Sequence, residues 1–144
     1  MIVSPKSKQE YLAMATFLSR LALVQPTPDM QFVGWVDQNK LRICVGINAF
    51  LGKTCQIHVA FEPEWTFTPK TLMHAVFRYV FVTRDRELLI GIVNSNNEKA
   101  MKYDLHLGFS ELYRIPKLHD DGGDIVILGM RKSECRYLKS EEAA

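Results

Sequence analysis

Asp104, Glu62, Glu64 and His58 are the side chains of this sequence best suited to moving protons. Asp104 stands beside apolar residues such as Ala100 and Met101. Pointed into a cleft, it would lose hydration, its pKa would rise, and it would become a proton donor; a solvated or capping carboxylate is the alternative. Glu62, Glu64 and His58 fall near the end of one apolar strand, where each could act as a general base. His58 could equally be a satisfied residue of the sheet. Thr68, Lys70 and Thr71 open a helix, and hydroxyls, an ammonium group and unpaired N–H groups there suit an anion. Trp65 and Phe67 could floor an acceptor pocket or plug the end of the sheet.

These residues must be positioned by a small set of elements. Glu87 to Val93 reads as a strand, and an Asn-rich turn follows it. Asn96 or Asn97 can cap a short helix, Glu98 suits its positive end, and Gly108 supplies the left-handed stop before Phe109. Upstream, Ser4-Pro5 signals a helix over about Lys6 to Val24, with Tyr11, Leu12, Ala15, Leu18 and Leu21 on one face, until Pro26 and Pro28 break it. Gln31 to Val36, Leu41 to Phe50 and Cys55 to Phe61 alternate as three strands of a meander. Thr68-Pro69 predicts a cap and a first helical residue, and the helix to about Val82 is apolar almost all round, so it should be covered on more than one side. Ser110 to Ile115 and Asp124 to Leu138 read as two further strands around the turn at Gly122-Gly123.

A helix joining Phe61 to Glu87 implies a parallel crossover, whereas the hairpins imply antiparallel neighbours. The expected fold is therefore α/β (α+β), one domain over 1–144, with a mixed sheet. At 144 residues the chain can bury an adequate core unaided. A net charge of +2, with no dense basic block, gives no nucleic-acid footprint. Met1 to Pro5 has no apolar stretch behind a basic start, and the longest apolar run is interrupted by Arg78, so no membrane association and a cytoplasmic location are expected. Cys44, Cys55 and Cys135 lack a Cys-x-x-Cys spacing, which argues against a metal site or a disulfide framework. Cys44 and Cys55 fall on neighbouring strands and could approach one another.

Asn97, Ala100 and Gly108-Phe109, placed behind a strand, resemble the second half of the acyl-CoA-binding core of the Gcn5-related N-acetyltransferase superfamily. The element order is similar to that fold over roughly residues 30 to 135. The resemblance implies a mostly antiparallel six- to seven-stranded sheet with helices on both faces. It also implies acetyl-CoA as cofactor, with Ile57 to Phe61 as the cofactor edge, so that Val59, Ala60 and Phe61 lie at the cofactor and their N–H groups stabilise an oxyanion. Asn97, Thr68, Lys70 and Thr71 would complete that site, with Asp104 as acid, and Glu62 or His58 as base toward an amine acceptor.

Two departures stand out. The family's Gln/Arg-x-x-Gly-x-Gly/Ala loop is replaced by Glu62-Pro63-Glu64-Trp65-Thr66-Phe67-Thr68-Pro69-Lys70-Thr71, which lacks glycine and carries two carboxylates. Position 104 is Asp where many members have Tyr, and Tyr103 is rotated about 100° from it around a helix. Such losses fit a non-catalytic scaffold as well. The tail from Gly123 to Arg131, followed by Glu134-Cys135-Arg136, looks like that of small acetyltransferase-like proteins of tailed bacteriophages, which implies a phage structural protein as partner in head assembly or within the virion.

Overall fold

The computed structural model describes residues 1–138. A short strand β1 (Ile2–Val3) precedes helix α1 (Lys8–Ala22), strands β2 (Gln31–Asp37), β3 (Lys40–Leu51) and β4 (Thr54–Phe61), and helix α2 (Lys70–Arg78) with a π-helical turn at Tyr79–Thr83. Strand β5 (Leu88–Asn94), helix α3 (Glu98–Leu107), strands β6 (Ser110–Ile115) and β7 (Ile125–Arg131), and a 3₁₀ turn at Lys132–Glu134 complete it. The seven strands lie in the order β1-β2-β3-β4-β5-β7-β6, and only β4 and β5 pair in parallel. This is the mixed, mostly antiparallel sheet expected.

Strand alternation places Ile43, Val45, Ile47, Cys55, Ile57 and Leu89 on one face, beneath α2. Gly91 of β5 continues that face toward α3. The opposite face carries Phe32, Cys44 and Ala60 against Met14, Ala15 and Leu18 of α1. Helices thus cover both faces. Cys44 and Cys55 consequently lie on opposite sides of the sheet and do not approach each other. Burial alone pushes the Cys44 thiol up to about 12, and burial dominates the rise of Cys55 to about 11, so neither is an ionised nucleophile at neutral pH.

Three boundaries and one buried position differ from expectation. Helix α1 is capped by Ser7, whose hydroxyl accepts from Glu10 N at 3.1 Å, and not by Ser4, because Ile2 and Val3 pair with Trp35 and Gly34. Leu12 stays exposed and Met14 is buried in its place. Thr68 does not cap α2: Pro69 holds the cap position, its carbonyl accepts from Leu72 N and Met73 N, and the Thr68 hydroxyl lies 3.4 Å from the Tyr103 phenol. Strand β7 ends at Arg131, not Leu138. The Lys132–Glu134 turn, closed by Glu134 Oε1 accepting from Arg131 N at 3.0 Å, lets Cys135 and Leu138 bury and carries Arg136 back to α3.

Asn97 is the cap of α3, accepting from Ala100 N at 3.1 Å, and Gly108 at φ +115° ends the helix as the sequence indicates. No helix among the described residues is long and apolar enough to cross a membrane.

Candidate active site

Strands β4 and β5 pair only at Thr54–Leu88, Cys55–Leu89 and Gln56–Ile90. Beyond that point β4 stays with β3 as far as Phe61–Ile43, while β5 stays with β7 as far as Asn94–Ile125, so a wedge opens between them. Glu62 N donates to the Arg42 carbonyl at 2.8 Å. Hydrogen-bonded pairs alternate in an antiparallel ladder, so Ala60 and His58 spend their backbone groups on β3, whereas Val59 and Phe61 turn theirs toward the wedge. Two residues of extended backbone are thereby left facing the gap.

Helix α3 roofs this gap. The Asp104 carboxylate hangs over Gly91: a methyl group at Gly91 would lie 3.9 Å from Asp104 Oδ2 and 3.9 Å from Ile57 Cγ2. Among the described residues no hydrogen bond reaches that carboxylate, and burial pushes its pKa up to about 6. Tyr103, one position earlier, projects elsewhere, with its ring edge-to-face on Phe61 at 5.2 Å and its hydroxyl toward Thr68. Burial, the largest cause, raises its phenol to about 12.

His58 lies just past the last β4–β5 pair, on the sheet face opposite Asp104, half-buried, with Nε2 2.7 Å from Asn48 Oδ1. Burial lowers its pKa, so the imidazole is neutral at pH 7. Glu62 forms an ion pair with Arg42, whose guanidinium also stacks 5.1 Å above the Trp65 ring. That closed cluster caps the sheet end. Glu64 is exposed in a left-handed turn at φ +70°.

Neither carboxylate lines the cavity of about 550 Å³ that opens beside the start of α2. Among the described residues its walls include Thr66, Thr68, Lys70, His74, His106 and Arg136, and none of them is acidic. Thr68 and Lys70 both line the cavity, while exposed Thr71 stays outside it. Asn97 is exposed and its side-chain oxygen is taken by the helix cap. His74, His106 and Arg136 were missed. Lys70 and His74 share a helix face by their four-residue spacing, which was readable. Arg136 was hidden by reading its segment as strand; it donates to the His106 carbonyl at 2.6 Å and so closes the cavity from the C-terminal side.

This wedge and cavity can be set beside known structures. A structure of mutant forms of the spermidine/spermine N-acetyltransferase SpeG from Vibrio cholerae superposes with a TM-score of 0.76 at 11% identity, covering 98% of this chain and 97% of that one. The chain has the fold of the Gcn5-related N-acetyltransferases. A second Vibrio cholerae spermidine N-acetyltransferase structure, in complex with CoA and spermine, gives a TM-score of 0.72 at 12% identity over 96% of this chain and 97% of that one. A protein assigned as a phosphinothricin N-acetyltransferase gives 0.70 at 16% identity over 91% and 98%. No protein-family model and no curated protein matches the sequence. In this acetyltransferase fold the glycine-poor segment before α2 is the local departure: it ends in Pro69, and the basic side chains around it come from α2, α3 and the segment after β7.

Proposed function

We propose that this chain transfers an acetyl group from acetyl-CoA to an amine by direct attack. The observation that carries the reading is the β4–β5 wedge with Asp104 set into it. An extended amide-bearing arm can pair with the backbone of Val59 and Phe61, and their N–H groups are placed to hold a developing oxyanion. The four basic side chains lining the cavity, with the Thr68 hydroxyl beside them, fit a pyrophosphate. Bound acetyl-CoA would supply the activated thioester.

Asp104, protonated, donates to the departing sulfur on one side of the sheet. His58, neutral, takes the proton of the incoming amine on the other. Opposite sides suit the two groups, since nucleophile and leaving group occupy different directions about the reacting carbon. Burial raises the carboxyl pKa and lowers the imidazole pKa, each toward the protonation state its role requires. Glu62 is not used, because Arg42 already holds it.

Thermal unfolding with and without acetyl-CoA tests this. Ligand at about 100 times its Kd stabilises the native state by roughly 2.7 kcal/mol, a rise of about 5 to 10 °C at this size. No rise at millimolar acetyl-CoA would favour the scaffold reading, in which the chain serves a structural partner and no acyl transfer occurs. Lys70 is exposed, so Lys70→Glu should leave the apoprotein Tm unchanged while weakening acetyl-CoA binding about 10- to 100-fold by calorimetry, the worth of a charge-assisted hydrogen bond. Unchanged affinity would remove the cavity from the site.

A further inference from the structure

A chain of hydrogen bonds runs from the protein surface to the end of β4 on the α1 side of the sheet. The Thr27 hydroxyl donates to Asp29 Oδ1 at 2.5 Å. Asn48 Nδ2 donates to Thr27 Oγ1 at 2.9 Å, and Asn48 Oδ1 meets His58 Nε2 at 2.7 Å. Asn48 is 6% exposed and lies, among the described residues, as a polar side chain within an otherwise apolar core. It precedes a bulge at Ala49, whose φ is +55°, and the other Asp29 oxygen accepts from Ala49 N and Phe50 N at 2.9 and 3.4 Å. One carboxylate thus holds both the bulge that aims Asn48 and the hydroxyl that orients its amide.

The direction of every bond follows from the far end. The Thr27 hydroxyl bond, above all, holds Asp29 below the usual carboxylate range, so it is ionised and can only accept. Thr27 must then donate its proton to Asp29, which leaves its lone pair for Asn48. The amide must turn its NH₂ to Thr27 and its carbonyl oxygen to His58. A carbonyl oxygen only accepts, so His58 Nε2 carries the proton and the neutral ring keeps its lone pair at Nδ1.

We propose that Asn48, Thr27 and Asp29 are positioning residues that lock His58 as the Nε2–H tautomer and so make Nδ1 its base atom. The role in catalysis rests on the acyl-transfer reading above; the tautomer does not.

Nitrogen-15 imidazole spectra of the full chain separate the two. In the wild type the His58 Nε2–H should appear as a slowly exchanging proton, with Nδ1 at the shift of an unprotonated nitrogen. Thr27→Val, a change at an exposed position, frees the Asn48 amide to turn over. Its Nε2–H should exchange faster, Nδ1 should become partly protonated, and kcat should fall about tenfold, the worth of one net hydrogen bond, with KM for acetyl-CoA unchanged. Thr27→Ser restores the hydroxyl and should restore both signals. A protonated Nδ1 in the wild type, or a Thr27→Val spectrum identical to it, would overturn the proposal. A locked tautomer in a chain with no measurable acetyl transfer would instead bring down the base role and the reading beneath it.

Discussion

Asp104→Asn is expected to lower acetyl transfer about 100- to 10,000-fold, the usual worth of a positioned acid, while making the protein more stable at pH 7 by about 2 to 3 kcal/mol. The two effects share one cause. The Asp104 carboxyl has a pKa of about 6 in the fold against 3.8 for an unperturbed group, because the wedge removes its water. At low pH it is neutral in both folded and unfolded chains and costs nothing. As pH rises through 3.8 the unfolded chain ionises first and is favoured. The folded protein therefore loses stability until about pH 6, where its own carboxyl ionises, and the loss stays constant above that. Asn carries no such penalty. Denaturation of the two proteins should give equal stabilities near pH 3 and the full difference above pH 6; equal stabilities at pH 7 would mean the carboxylate is not desolvated.

The same shift fixes the shape of the rate profile. With Asp104 as acid, kcat should fall about tenfold per pH unit above about 6. His58, depressed below 6.5, sets the acidic limb. Loss of the upper limb in Asp104→Asn, with the lower one kept, would tie that limb to this carboxyl. An upper limb that survives the substitution would take Asp104 out of the mechanism.

Phe77→Ala should cost about 3 to 5 kcal/mol, since it empties a fully buried aromatic site that its surroundings relax only partly to fill. At this size the Tm should drop by about 10 °C. Phe77 stacks on Tyr137 at 4.9 Å and lies 6.4 Å from Phe81. Tyr137 and Arg136 form one wall of the basic cavity, so the variant should also bind acetyl-CoA more weakly. Leu18→Ala, equally buried but on the α1 face, should lose comparable stability with acetyl-CoA affinity intact. Equal losses of affinity in both would mean that global loosening, not the Tyr137 wall, weakens the site.

Local signals decided the elements whose ends are fixed by neighbours in sequence. Asn97, Glu98 and Gly108 bound α3 through a cap, a favourable charge and a left-handed stop, all formed within a few residues, and they fall where the sequence places them. Alternation likewise located β2, β3, β4 and β5 to within a residue or two, because one slip would turn every core side chain outward. The errors came where a distant partner competes with the local signal. Ile2 and Val3 are drawn onto β2, the Thr68 hydroxyl turns to Tyr103 on α3, and Arg136 turns to the end of α3.

The sequence alone therefore determined the order of strands and helices from α1 to β7, the parallel crossover and a set of titratable residues, since each depends on period, caps and residue type. Only the tertiary structure decided which of those residues share a site. It put Asp104 above Gly91 in the wedge, His58 on the opposite face, and Glu62 against Arg42, and it gathered Lys70, His74, His106 and Arg136 around one cavity. Those meetings join residues far apart in the chain, and where they fall is set by strand splay and helix packing, which no local pattern records.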